Sequence, residues 1–132
     1  MNAIHHLELW THDLEDAFPS FNWLLDRLGF GLDRGDDWPQ GRIWRHPGGF
    51  YLVLEQSPDV VGRSHDRHRP GLNHVAFSVP SRAVLDAVRD EAAAHDWQQL
   101  FADRYPHAGG EQQEALYLVN GQGFEAELVV VG

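Results

Sequence analysis

His6 and His74 sit in two short apolar segments that echo each other. The first reads Ile4-His5-His6-Leu7-Glu8-Leu9-Trp10 and the second Leu72-Asn73-His74-Val75-Ala76-Phe77-Ser78-Val79, each with histidine at its third position. Neutral imidazole near pH 7 is suited to proton transfer and to metal ligation. Each half of the chain also closes on a strand-like run carrying carboxylates, Glu55 in the first and Glu125 and Glu127 in the second. A face needed only for solubility would not require histidine at matched positions.

The elements that must position these groups repeat as well. Seven residues after each histidine comes a helix-start residue, Asp13 or Ser81, and the same offset of 68 sets Leu28-Gly29-Phe30 opposite Asp96-Trp97-Gln98. Late in each half, Gly49-Phe50 opposes Gly123-Phe124 at an offset of 74, as if the second half carried six extra residues. Such an echo means one supersecondary unit used twice. The first helix is expected from Asp13 to Gly29, with Leu14, Ala17, Phe18, Phe21, Leu24, Leu25 and Leu28 on one face and a kink or restart at Pro19. The second is expected from Ser81 to His95. Strands are expected over 30–34, 42–46, 50–55, 97–101, 115–119 and 124–130, with turns at 36–41, 47–49 and 120–123. The order is strand, helix, three strands, written twice in a single domain: a first module over 1–55, a linker over 56–71 and a second module over 72–132. The long loop 102–114 has the length of a functional segment.

Alternation along the strands sorts their side chains. Leu7, Leu9, Leu52, Leu54, Val75, Phe77, Val79, Ala126 and Leu128 are expected against the helices. His6, Glu8, Trp10, Tyr51, Val53, Glu55, His74, Ala76, Ser78, Glu125 and Glu127 fall on the helix-free faces. Two histidines and several carboxylates thus gather there from distant parts of the sequence.

A chain of 132 residues is one domain's worth. Its formal charge of −10 argues against nucleic acid and anionic membrane surfaces as partners. The absence of cysteine rules out thiolate chemistry and disulfides. With no signal-like N-terminus and no apolar run of membrane-spanning length, a soluble, cytoplasmic protein is expected.

The ordered set His6, Asp13-Leu14, Leu28-Gly29, then His74 and the closing run Asn120-Gly121-Gln122-Gly123-Phe124-Glu125-Ala126-Glu127-Leu128, resembles the vicinal oxygen chelate superfamily: glyoxalase I, fosfomycin-resistance proteins, extradiol dioxygenases and bleomycin-resistance proteins. The resemblance spans nearly the whole chain. It implies an α+β fold of two tandem βαβββ modules forming a curved, cup-shaped mixed sheet with helices outside, often completed in a homodimer. It carries metal-ligand roles to His6, His74 and Glu127, a set suited to Fe, Mn, Zn, Ni or Co as a divalent ion with positions left open for substrate. Glyoxalase I takes a second glutamate from the fourth strand, where this chain has Val53; Glu55, one side-chain repeat further on, is the possible substitute. No match to the basic phosphonate-binding residues of the fosfomycin enzymes is evident.

Two functions follow from the resemblance. One is a metalloenzyme that chelates two oxygens of a small substrate, of isomerase, lyase or ring-cleaving dioxygenase type. The other is a metal-free protein that sequesters an aromatic natural product or antibiotic, as bleomycin-resistance proteins do. His107, Tyr105 and Tyr117 are the candidate acid–base or substrate-contacting groups, and Trp10, Trp44 and Tyr51 the candidate aromatic lining. Trp23 and Trp97 are expected in the core, Glu8 and Glu125 at the rim or beside the histidines, and His65-Asp66-Arg67-His68-Arg69 in a solvated linker.

Overall fold

Leu14, Ala17, Phe21, Leu24 and Leu25 recur at three- and four-residue spacing and are all buried, which gives helix α1 (Leu14–Arg27) its single packed face. Asp13 caps it, its carboxylate accepting the Asp16 N–H at 3.1 Å. Acidic residues in the first turn and Arg27 in the last agree with the helix dipole. The helix runs unbroken through Pro19, so the expected restart does not occur. Pro19 is exposed, where the carbonyl it leaves without a donor can be hydrated.

The computed structural model describes residues 3–34 and 37–132. The chain divides into two compact units, Met1–His65 and Asp66–Gly132. The first contains β1 (His6–Trp10), α1, β2 (Gly31–Asp33), β3 (Gly41–Arg45) and β4 (Tyr51–Glu55), in sheet order β1-β4-β3-β2. The second contains β5 (Val75–Val79), α2 (Arg82–Glu91) continued by a 3-10 turn (Ala92–His95), β6 (Trp97–Leu100), β7 (Ala115–Asn120) and β8 (Glu125–Val130), in sheet order β5-β8-β7-β6. In each sheet the first and last strands of the unit run parallel and the remaining pairs antiparallel. This is an α+β fold of two mixed sheets, and each strand lies within a residue or so of its expected place. The expected turn at 36–41 begins at Asp36, which lies outside the described residues. No helix of the described residues is long and apolar enough to cross a membrane.

The strand register confirms both offsets. Glu8 pairs with Val53 and Val53 with Ile43; Ala76 pairs with Glu127 and Glu127 with Tyr117. One offset thus relates β1 to β5, and the larger one relates β3 and β4 to β7 and β8. The extra residues fall in the β6–β7 connection (101–114), which is longer than the β2–β3 connection (34–40). One alignment shifts. Gly29 (φ 88°) and Asp96 (φ 65°) hold the equivalent left-handed positions at the helix ends, not Leu28 and Asp96. The 3-10 turn accounts for this, because four residues rising about 2 Å each cover the length of roughly five α-helical ones.

The cores lie between each sheet and its own helix. Trp44 and Trp97 are fully buried, as are Leu52 and Leu54 in the first unit and Leu85, Val88, Leu116, Leu118 and Leu128 in the second. Ser81 caps α2, accepting the Val84 N–H at 3.3 Å.

Candidate functional site

In the second unit, His74 stands one residue before β5, where the register sets it level with Glu125 on β8. Glu127, two residues along the same face, lies level with Tyr117 on β7. Strand alternation therefore places His74, Glu125, Glu127 and Tyr117 on one face, away from α2. His74 Nε2 lies 3.0 Å from Glu127 Oε1, and His74 Nδ1 lies 3.9 Å from Glu125 Oε2. Both glutamates are buried, at 8 % exposed for Glu125 and 6 % for Glu127. A buried carboxylate needs a partner. Arg67 supplies one for Glu125, its Nε 2.9 Å from Oε1.

Tyr117 completes the cluster. Its ring meets His74 edge-on at 6.0 Å and Phe101 at 5.5 Å. Burial raises its hydroxyl above the usual phenol range, and the neighbouring charge of Glu127 and a hydrogen bond to it add to that. The phenol is thereby held as a neutral donor. Gly109 of the β6–β7 connection passes so close that a β-carbon there would come within 2.7 Å of the Tyr117 hydroxyl and 2.9 Å of Gln113 Oε1. Only glycine fits without displacing them.

The donor set of a metal site can be judged on these atoms. Donor atoms about 3 Å apart are spaced as neighbouring ligands of an octahedral ion with bonds near 2.1 Å, so His74 and Glu127 suit such an ion. Glu125 does not join them, because it faces the opposite ring nitrogen and is held by Arg67. Within either unit, among the described residues, no three His, Asp or Glu side chains form a group that could hold a metal.

The first unit arranges the equivalent face differently. His6 is level with Tyr51 and stacks on it, ring centroids 4.7 Å apart and planes 2° from parallel. The Arg45 guanidinium lies over the Tyr51 ring, 4.8 Å from its centroid, and His5 Nδ1 is 2.8 Å from His6 Nδ1. Trp10 is exposed and donates its indole N–H to Glu8 at 2.7 Å. A hydrogen bond with Glu8 raises the Glu55 carboxyl above its usual range, and burial and the charge of Glu8 act the same way.

Three expectations are corrected here. Glu55 is level with Trp10, four residues beyond the position level with His6, or roughly 13 Å along the strand; it is too far to join His6 on one ion. Trp44 does not line the helix-free face. It is level with Leu52, fully buried, stacked on Phe18 at 5.8 Å, and donates to Asn22 Oδ1 at 3.0 Å. Tyr105 is fastened to α2, its hydroxyl 2.5 Å from Asp86 Oδ1 beneath the guanidinium groups of Arg82 and Arg89. His107 remains on the exposed connection, Nδ1 3.1 Å from the Gln113 carbonyl oxygen.

Two residues of the cluster were not legible beforehand. Arg67 belongs to a charged run that reads as solvated linker, although a glutamate on a covered strand face is a signal that some cation must reach it. Asn73 touches His74 through Oδ1 and was visible only as its neighbour.

Residues 5–117 match the family model described as the glyoxalase/bleomycin resistance protein/dioxygenase superfamily, a span that includes His6 and His74 and ends before β8. The chain is 32 % identical to the YqjT protein of Bacillus subtilis (strain 168), itself uncharacterized, over 96 % of this chain and 97 % of that one. It is 31 % identical to a candidate glyoxalase of Bacillus halodurans whose crystal structure superposes with a TM-score of 0.88, covering 98 % of this chain and 96 % of the other. The fosfomycin resistance protein FosX of Listeria monocytogenes, 14 % identical, shares the fold at a TM-score of 0.64 over 100 % and 93 % of the two chains.

Proposed function

The chain belongs to the glyoxalase/bleomycin resistance protein/dioxygenase superfamily, and from that membership we propose that it is a metalloenzyme acting on a small substrate with two adjacent oxygens. The reaction is of isomerase, lyase or ring-cleaving type. The pairing of half-exposed His74 with buried Glu127, 3.0 Å apart, is the observation that carries the proposal. His6, at the strand position equivalent to His74, is the proposed third ligand. A divalent ion held by these residues would supply Lewis-acid stabilisation of negative charge on the substrate oxygens.

The chain's own residues set the surroundings. Tyr117 offers a neutral hydroxyl that donates to Glu127 and steadies that carboxylate, leaving the phenol oxygen to accept from a substrate hydroxyl. Arg67 neutralises Glu125, so the charge left for an ion is that of Glu127. Val53 takes the place of a fourth ligand, which leaves more of the ion to substrate and water. Trp10 is the exposed aromatic surface available to a planar substrate, Tyr51 being stacked on His6 and covered by Arg45, and His107 on the β6–β7 connection is the candidate acid–base group.

The test is metal content and affinity for Mn(II), Fe(II), Co(II), Ni(II) and Zn(II) in the parent, His6→Ala, His74→Ala, Glu127→Ala and Glu55→Ala. Loss of binding in the first three variants and its retention in Glu55→Ala is expected. Unchanged binding in those three would remove the site. A second reading, sequestration of a cationic aromatic compound without metal, draws on the net charge of −10 and the exposed Trp10. It would be favoured if the parent binds none of the five ions yet quenches its tryptophan fluorescence with such a compound.

A further inference from the structure

A short relay of hydrogen bonds leads from the linker backbone to the imidazole of His74. The carbonyl oxygen of Arg67 accepts from Asn73 Nδ2 at 3.0 Å, and Asn73 Oδ1 lies 2.7 Å from His74 Nδ1. A carbonyl oxygen can only accept, so the amide nitrogen of Asn73 must face Arg67 and its amide oxygen must face the ring. That oxygen can also only accept. The other group on this side of the ring, Glu125 Oε2, lies 3.9 Å away, beyond hydrogen-bonding distance, and that side chain is engaged by Arg67. The proton of a neutral His74 therefore belongs on Nδ1.

Nε2 is then left with its lone pair, 3.0 Å from Glu127 Oε1. Two acceptors at that distance repel unless a proton or a cation lies between them. We propose that Asn73 is a positioning residue that holds His74 as the Nδ1–H tautomer and aims Nε2 at Glu127, so that the pair receives a cation or a proton from outside the relay. Fixing the far nitrogen of a ligating imidazole in this way sets both its tautomer and its orientation. The tautomer claim stands on hydrogen-bond geometry alone; only the affinity consequence rests on the metal reading above.

Nitrogen-15 NMR of the full-length, metal-free protein at alkaline pH distinguishes the two tautomers, with His74 assigned from the signals lost in His74→Gln. The parent should show Nδ1–H. Asn73→Leu removes the acceptor at similar volume and should populate Nε2–H, with Co(II) affinity weakened about 10- to 100-fold. Asn73→Asp keeps an acceptor against Nδ1 and should retain the parent tautomer. An Nε2–H tautomer in the parent, or an Asn73→Leu spectrum like the parent's, would overturn the proposal. So would a switched tautomer with undiminished Co(II) affinity. If the parent fails to bind Co(II) while the tautomers behave as stated, the positioning role stands and the metal reading falls. Tight Co(II) binding by the parent with no tautomer change in Asn73→Leu removes the positioning role and leaves the metal reading intact.

Discussion

Glu125 and Glu127 are two residues apart on one strand face, yet they are satisfied in different ways. Glu125 has a guanidinium at 2.9 Å, whereas Glu127 has an imidazole nitrogen and a phenol, neither of which supplies a fixed charge. The first carboxylate is closed by a guanidinium, and the second pairs with no guanidinium or ammonium among the described residues. Arg67→Ala should therefore destabilise the fold by leaving Glu125 buried and unpaired. Arg67 is about a quarter exposed, so about 2 kcal/mol is expected, below the roughly 3–5 kcal/mol of a fully buried pair. Urea denaturation checks this, and the double variant Arg67→Met/Glu125→Leu should recover most of the loss. Tyr117→Phe, by contrast, should leave metal affinity close to the parent's while lowering turnover once a substrate is found, because it removes a donor and not a ligand.

At the scale of elements, the β6–β7 connection is pinned to α2 rather than hanging free. Asp86 accepts from Tyr105 and from Arg82 Nε at 2.9 Å, while Arg82 also reaches Glu114 at 3.0 Å on the far end of the connection. Burial, then the hydrogen bond to Asp86, push the Tyr105 hydroxyl up to about 12. A phenol raised on folding contributes stability that is complete below its ordinary value and is lost as pH rises from there through about 12. Tyr105→Phe should flatten the fall in stability over that alkaline window. At neutral pH it should cost about 0.5–1 kcal/mol, the value of one partly exposed hydrogen bond. Asp86 moves the other way, lowered first by Tyr105 and then by Arg82, so its contribution is present above the ordinary carboxylate range and fades on acidification. Denaturation at stepped pH reads both. Packing on the helix side is less forgiving: Trp44→Ala should cost about 3–5 kcal/mol by equilibrium unfolding, through lost burial and the orphaned Asn22 amide oxygen.

For the whole molecule, a ligand that binds only the folded state raises its stability. Co(II) at about 100 times its dissociation constant should add about 2.7 kcal/mol to the parent and nothing to Glu127→Ala. Differential scanning calorimetry with and without the ion measures this directly. Sedimentation velocity tests the homodimer, with a 15.0 kDa species at micromolar concentration as the result against it.

How much of this was legible in the sequence follows from the range over which each signal acts. The module echo, the caps Asp13 and Ser81, the strand parity and the contrast of Val53 with Glu127 are periodic or local features, so they survive being read along one chain. The alternation of buried and exposed residues on β1 and β5 follows from the same period-two geometry. Trp44 was misplaced because an aromatic residue on a strand of uncertain parity reads alike on either face; its pairing with Leu52 and its bond to Asn22 decide the matter. Tyr105 and Glu55 failed for a related reason, since proximity to a site along the sequence says nothing of distance along a strand or of capture by a helix. Arg67 and Asn73 needed the tertiary structure altogether. Their roles depend on which atoms a linker carbonyl and a buried carboxylate meet across the fold, and hydrogen-bond direction is decided by those partners, not by the residues' own order in the chain.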